Sequence, residues 1–174
     1  MSIGYHSDDY KVLERPARPL LVCVTLFIAL ALNMLPYSDG AFEIKPDFVG
    51  LLLLYWCLHS PKVAGFAAAL VLGLLMDLAY TAVLGQHVIA YSVIAFLALQ
   101  TRTSCLQMDL VRQAIHVGLI LLAAKFVLFS VNYLLDNAEF SLDYFKPELI
   151  AAGMWLGLPL FVGFVRNRLS ALAG

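Results

Sequence analysis

Asp77 and Lys125 carry charge inside, or at the edge of, long hydrophobic runs, and His59 and His116 stand in similar surroundings. A carboxylate or ammonium held in lipid costs several kcal/mol unless it is neutral, paired or hydrated. Groups of this kind can relay a proton, hold an ion, or pair across a helix bundle. Asp77 admits three readings: a cap at the outer end of a helix, a member of an internal network, or a group that meets a substrate or ion. Lys125 lies halfway along its run, so its charge needs a long reach to an interface. An internal polar contact is therefore expected for it, with Asp77 as one candidate partner. Asp77 with His59 or His116 offers an acid and a base, but no recognisable nucleophile accompanies them. A GxSxG elbow, an HExxH pair and a phosphate-cradling glycine loop are all absent from the sequence. The residues thus assign no catalytic group, no cofactor and no metal. Cys23, Cys57 and Cys105 have no ligand spacing and are expected to be packing residues.

The elements that must position these groups are apolar. Of the 174 residues, 62% are hydrophobic and 13% charged, far from the balance of a water-soluble domain. Runs of roughly 17 to 25 residues can cross a hydrocarbon core as helices. The reading is an all-α membrane protein, a bundle of six transmembrane helices at about 19–35, 46–58, 63–84, 86–100, 113–135 and 148–165. Residues 1–18 and 166–174 are read as cytoplasmic tails. A first run preceded by Lys11, Arg15 and Arg18 resembles a signal peptide, but the stretch 33–40 lacks a small-x-small site, so a retained helix is expected. With a net charge of -1 and no basic patch, nucleic acid is not an expected partner.

The crossing count rests on charge. Lys11, Arg15, Arg18, Lys62, Arg102, Arg112, Arg166 and Arg168 can share one side, leaving Lys45 and Lys146 on the other. That bias marks the cytoplasmic side and places both termini there. The opposite loops are acidic, with Asp39, Glu43 and Asp47 in one, and Asp136, Glu139, Asp143 and Glu148 in another. The nearly continuous apolar stretch 48–76 must then break at His59-Ser60-Pro61-Lys62, because proline ends or kinks a helix. This leaves a second helix of only about 16 Å at 1.5 Å per residue. Pro46 suits its first turn, and Asp47 the positive end of its dipole.

The third run extends to 84 or stops near Met76, with Asp77 then capping an external turn. Gly85 supplies a turning point before the fourth run. Gly65, Ala69 and Gly73 recur at four-residue spacing and give one smooth face for close helix packing; Gly153 and Gly157 repeat the pattern. Tyr55 and Trp56 are expected as interfacial anchors. Ser130 and Asn132 are expected to be hydrogen-bonded packing residues. Tyr133, Phe140, Tyr144 and Phe145 surround the second acidic loop, which can act as a surface element or docking site.

The order of these features resembles the rod shape-determining protein MreD family. The resemblance is carried by Pro46-Asp47-Phe48, LLLLYWCLHSPK from Leu51 to Lys62, GLLMD from Gly73 to Asp77, and LGQHVIAY from Leu84 to Tyr91. It implies a multi-pass protein of the bacterial inner membrane, non-enzymatic, within the machinery that organises lateral peptidoglycan synthesis and rod shape. It implies MreC as principal partner, with MreB, RodA, the elongation penicillin-binding protein and membrane lipid around it. It also implies a fold like the substrate-binding S-components of energy-coupling-factor transporters. Pro46, Asp47, Tyr55, Trp56, Pro61, Gly73, Asp77 and Gly85 match the characteristic stretch and, with Lys125, are expected to shape a partner surface or a central pocket. Two other functions compete: a vitamin-type substrate-binding subunit of an importer, and a membrane enzyme acting on lipid or peptide.

Overall fold

A computed structural model describes residues 18–35, 45–80, 84–136 and 141–171. The head before Arg18, with Lys11 and Arg15, lies outside them, as do Asp39, Glu43, Glu139, Phe140 and the last three residues. The side chains of Asp136 and Arg166 also lie outside the description. Among the described residues, seven α-helices follow in order: α1 Pro19–Met34, α2 Phe48–His59, α3 Phe66–Ala79, α4 Gln86–Leu106, α5 Leu110–Asp136, α6 Lys146–Met154 and α7 Leu158–Ala171, with a 3-10 turn at Leu142–Phe145 before α6.

Several starts have a local cause. Pro19 opens α1, where a missing amide hydrogen costs nothing. The Asp47 carboxylate accepts from Val49 N and Gly50 N and caps α2. The Ser141 hydroxyl accepts from Asp143 N at the 3-10 turn, and Pro147 sits in the first turn of α6. Gly85 precedes α4 with φ of 103°, a left-handed conformation that favours glycine.

α2 lies at the centre, with nine of its twelve residues buried. It is apolar all round, as a helix enclosed by protein should be. Its shortness follows: a helix surrounded by other helices does not have to match the thickness of the lipid. α2 ends at His59, and a turn through Pro61 leads to α3, with Val63 N and Ala64 N both donating to Ser60 O at 3.0 Å. α4 packs against α2, α3 and α5; α1 covers α2, and α6 packs on α5. The core between them contains Trp56, Trp155, Tyr91, Leu53 and Leu54. Leu20, Phe27, Leu119, Phe126 and Leu134 point outward, an apolar exterior suited to lipid.

α3 runs only from Phe66 to Ala79, shorter than the 63–84 expected, because Gly65 stays extended and the chain turns at Tyr80. α4 and α5 are longer than expected, and the last helix continues to Ala171, past the expected boundary at 165. The sixth run is broken: the turn at 155–157 separates α6 from α7, and Leu142–Met154 meets Leu158–Val165 at 52°. Pro159 cannot continue the hydrogen-bond ladder, and Gly157 adjoins the break. By length and composition, Gln86–Leu106 and Leu110–Leu135 can each cross a membrane, and the bent pair makes a third span if it acts as one. α1, α2 and α3 are shorter apolar helices.

The small-residue face is used unevenly. A Cβ on Gly73 would lie 2.5 Å from Val88 Cα and 2.7 Å from Val88 N, so α3 and α4 touch backbone to backbone there. Ala69 is fully buried on the same helix. Gly65 instead precedes the helix, and its Cβ would strike Pro61 O at 2.8 Å. Gly153 has open space where a Cβ would stand, so among the described residues no helix packs closely on the second stripe there. The close approach of α5 and α6 is made by Gly118, whose Cβ would lie 2.9 Å from that of Ala152. Cys57 and Cys105 are buried, whereas Cys23 faces outward on α1.

Candidate functional site

The C-terminal ends of α1, α3 and α5 meet the N-terminal ends of α2, α4 and α6, and a cavity of about 640 Å³ lies among them. Three polar clusters surround it.

The first ties α1, α2 and α4 together. Asp47 Oδ1 takes hydrogen bonds from Asn33 Nδ2 at 2.8 Å and Tyr91 OH at 3.0 Å, besides the two α2 amides. Asn33 Oδ1 in return accepts from Phe48 N at 3.2 Å. The carbonyl of Asn33 accepts from Lys45 Nζ and from Tyr80 OH, the latter at 2.7 Å. Burial pulls the Lys45 ammonium below its ordinary range, an effect that Asp47 partly opposes. Pro46, Asp47 and Lys45 all line the cavity.

The second cluster joins α3 to α4. Asp77 is 1% exposed. Its Oδ2 accepts from Gly85 N at 2.7 Å, and its Oδ1 from His87 N at 2.9 Å. His87 Nδ1 lies 2.8 Å from the same Oδ1. A hydrogen bond of this length ties the imidazole to the carboxyl group. Asp77 therefore caps the next helix from the last turn of its own. Two orphan amides at the positive end of α4 meet a negative charge, which is the favoured arrangement for a helix start.

The third cluster joins α5 to α6. Lys125 Nζ lies 3.7 Å from Glu148 Oε1, with the two side chains 20% and 4% exposed. That separation is an ion pair but too long for a hydrogen bond. The ammonium also stands 4.3 Å from the centre of the Tyr144 ring. Asp77 is thus not the partner of Lys125; its own partners at the start of α4 occupy it. Glu148 was expected in an external loop, but the first turn of α6 folds it into the bundle.

The remaining predicted residues lie elsewhere. Trp56 and Tyr55 are buried, not interfacial anchors. Trp56 Nε1 donates to Thr25 Oγ1 at 2.9 Å, and the Tyr55 ring stacks on His59 at 4.1 Å. Pro61 shapes the turn beyond α2, and Gly73 the α3–α4 contact. None of these four lines the cavity, and neither do Asp77 and Gly85, which organise its rim through His87. His116 Nε2 is 2.9 Å from Thr101 Oγ1, a contact between α4 and α5. Ser130 donates to Phe126 O at 2.8 Å, while Asn132 lines the cavity.

Sequence reasoning missed Asn33, Gln86, His87 and Tyr91. Only Gln86 and His87 had a local signal, as polar residues directly after a turn glycine. Asn33 and Tyr91 reach Asp47 from distant positions, which no local pattern reveals. Among the described residues no group of three or more His, Cys, Asp or Glu could hold a metal ion. What the arrangement offers is helix locking and a largely apolar cavity edged by polar groups, with no activated nucleophile among the described residues.

Comparison with known proteins agrees with this architecture. The profile described as rod shape-determining protein MreD matches residues 15–167. A protein of that name from Haemophilus influenzae (strain ATCC 51907 / DSM 11121 / KW20 / Rd) is 25% identical over 141 residues, covering 81% of this chain and 87% of the relative. No solved structure matches. Because the profile spans most of an apolar, all-helical chain, the protein belongs to the rod shape-determining protein MreD family.

Proposed function

We propose that this chain is a non-enzymatic, multi-pass component of the bacterial inner membrane that scaffolds the cell-elongation machinery and so supports lateral peptidoglycan synthesis and rod shape. The family match over residues 15–167 carries this reading. The chemistry agrees with it, since the polar groups inside the bundle serve mainly to lock one helix to the next. MreC is the principal partner in this reading, with MreB, RodA and the elongation penicillin-binding protein in the same assembly.

Six crossings with both termini in the cytoplasm belong to the same proposal. Lys62, Arg102 and Arg112 gather at one end of the helices, while Asp47, Asp143 and Glu148 gather at the other. That asymmetry supports placing the cavity end outside. The likeness to transporter S-components is part of the proposal too, and the cavity of about 640 Å³ is the observation in its favour. The same cavity favours a second reading, a substrate-binding subunit of a vitamin-type importer. A vitamin that copurifies, and uptake that depends on an ATP-driven partner, are what that reading requires.

Depletion in a rod-shaped host tests the main reading. Cells should widen and round as the protein is lost, and recover when it is restored. Unchanged rods after clean deletion contradict it.

A further inference from the structure

The cavity exists whichever proteins the scaffold holds, and its polar groups are unevenly served. Asp47, at its α2 wall, and Asp77, behind its rim on α3, are filled by helix amides and side chains. The α5–α6 wall differs. Glu148 is 4% exposed, yet neither of its carboxylate oxygens takes a hydrogen bond from a described residue. Lys125 touches it only at 3.7 Å. Gln86, 5% exposed, lines the same cavity with no hydrogen bond from its side-chain amide to the described residues. The polar atoms of both groups stay open to the cavity, since among the described residues the enclosed side-chain polar atom without a partner is Ser60 Oγ. Two polar groups without hydrogen bonds, and an ammonium held only by a long ion pair and a ring, face one space and point to an occupant that completes them.

The pair also dictates the occupant's charge. A simple anion drawn to Lys125 would leave Glu148 buried and opposed. A simple cation drawn to Glu148 would do the same to Lys125. A zwitterion satisfies both, with its anionic oxygens on Lys125 and its ammonium on Glu148. The Gln86 amide can then donate to or accept from what remains. Leu121 and Leu128, on the α5 side of the cavity, favour an apolar body attached to the charged end. A volume of about 640 Å³ falls within the range of small-molecule sites.

We infer that this cavity binds an amphiphilic zwitterion, a molecule with a primary ammonium and an anionic group at one end and an apolar body beyond, held between Lys125 and Glu148. Two sources supply that chemistry: an aminophospholipid headgroup, and a free apolar amino acid or short peptide. The site is a place of binding, with no bond made or broken.

The test uses the full chain purified in detergent and titration calorimetry with defined probes. The lipid arm compares short-chain phosphatidylethanolamine with short-chain phosphatidylglycerol. The soluble arm compares leucyl-leucine with its N-acetyl and its amide forms, each of which lacks one of the two charges. Saturable binding is expected in one arm, with a preference of at least about tenfold for the zwitterion over its single-charge counterparts. Binding in the first arm alone assigns the lipid source, and in the second alone the soluble one. Glu148→Gln should erase the preference for the ammonium, and Lys125→Met that for the anion, each in protein whose thermal unfolding matches the parent. No saturable binding by either zwitterion overturns the inference, as does equal binding of the single-charge probes by the parent. Variants that fold and still discriminate overturn it too. Because no readout involves cell shape or partner proteins, failure here leaves the scaffold reading standing.

Discussion

Asp77 and Glu148 are both carboxylates sunk into helices at the same end of the bundle, 1% and 4% exposed. Asp77 is filled: two backbone amides and a histidine converge on it, and they fix where α4 begins. Glu148 faces a lysine beyond hydrogen-bonding distance and a cavity. Burial therefore does not separate a structural charge from an available one. Saturation does, because a carboxylate whose acceptors are occupied has nothing left to offer a second molecule. The glycines repeat the lesson. Gly73 stands where two backbones meet, and Gly153 where a side chain would have room.

The largest expected effect comes from closing the α3–α4 contact. Gly73→Leu must push α4 away from a position where even a Cβ would lie 2.5 Å from Val88 Cα. A loss of about 3 kcal/mol, the upper end for overpacking, should follow, read as a lowered midpoint of thermal unfolding in detergent. An unchanged midpoint would mean that this face is not packed.

Next comes the capping carboxylate. Asp77→Leu leaves two amides of the α4 start unpaired and should cost roughly 2–3 kcal/mol. Asp77→Asn keeps one acceptor and should cost less, about 2 kcal/mol, with better recovery of assembled protein. Glu148→Gln, the matching isostere in the other region, breaks the 3.7 Å ion pair but leaves Lys125 partly exposed and over the Tyr144 ring, so stability should fall by no more than about 1 kcal/mol. Chemical denaturation of the three variants side by side checks the order. Equal loss for the two isosteres would erase the distinction between the carboxylates.

The smallest effect should be a gain. Gly153→Ala meets nothing within 4 Å, so only helix propensity acts, and stability should rise by about 0.5–1 kcal/mol. A fall in the unfolding midpoint would show that α6 has a neighbour at this face.

Features with local causes could be read from the chain. Pro61 sets the break after α2, Asp47 the cap before it, and Gly85 the turn into α4, because each acts on residues within a few positions. Gly73 was legible for a related reason: a run of small residues on one face has few uses in a membrane helix. The partner of Lys125 was not legible. Glu148 follows a proline near a loop, which suggests an exposed helix start, and only the packing of α6 on α5 turns it inward. Tyr55 and Trp56 misled because aromatics close to a helix end resemble membrane anchors, and only the enclosure of α2 shows that they are core. The bend at 155–157 was hidden in an apolar run whose length alone suggested one straight helix.

The central claim is that the molecule works by holding other proteins and not by transforming a substrate. Affinity purification of the full chain from gently solubilised membranes of a rod-shaped host, with MreC quantified in the eluate, tests it most directly. MreC should be recovered with the parent chain and depleted with Gly73→Leu. An eluate in which the parent chain is intact and folded but MreC stays at background would contradict the account.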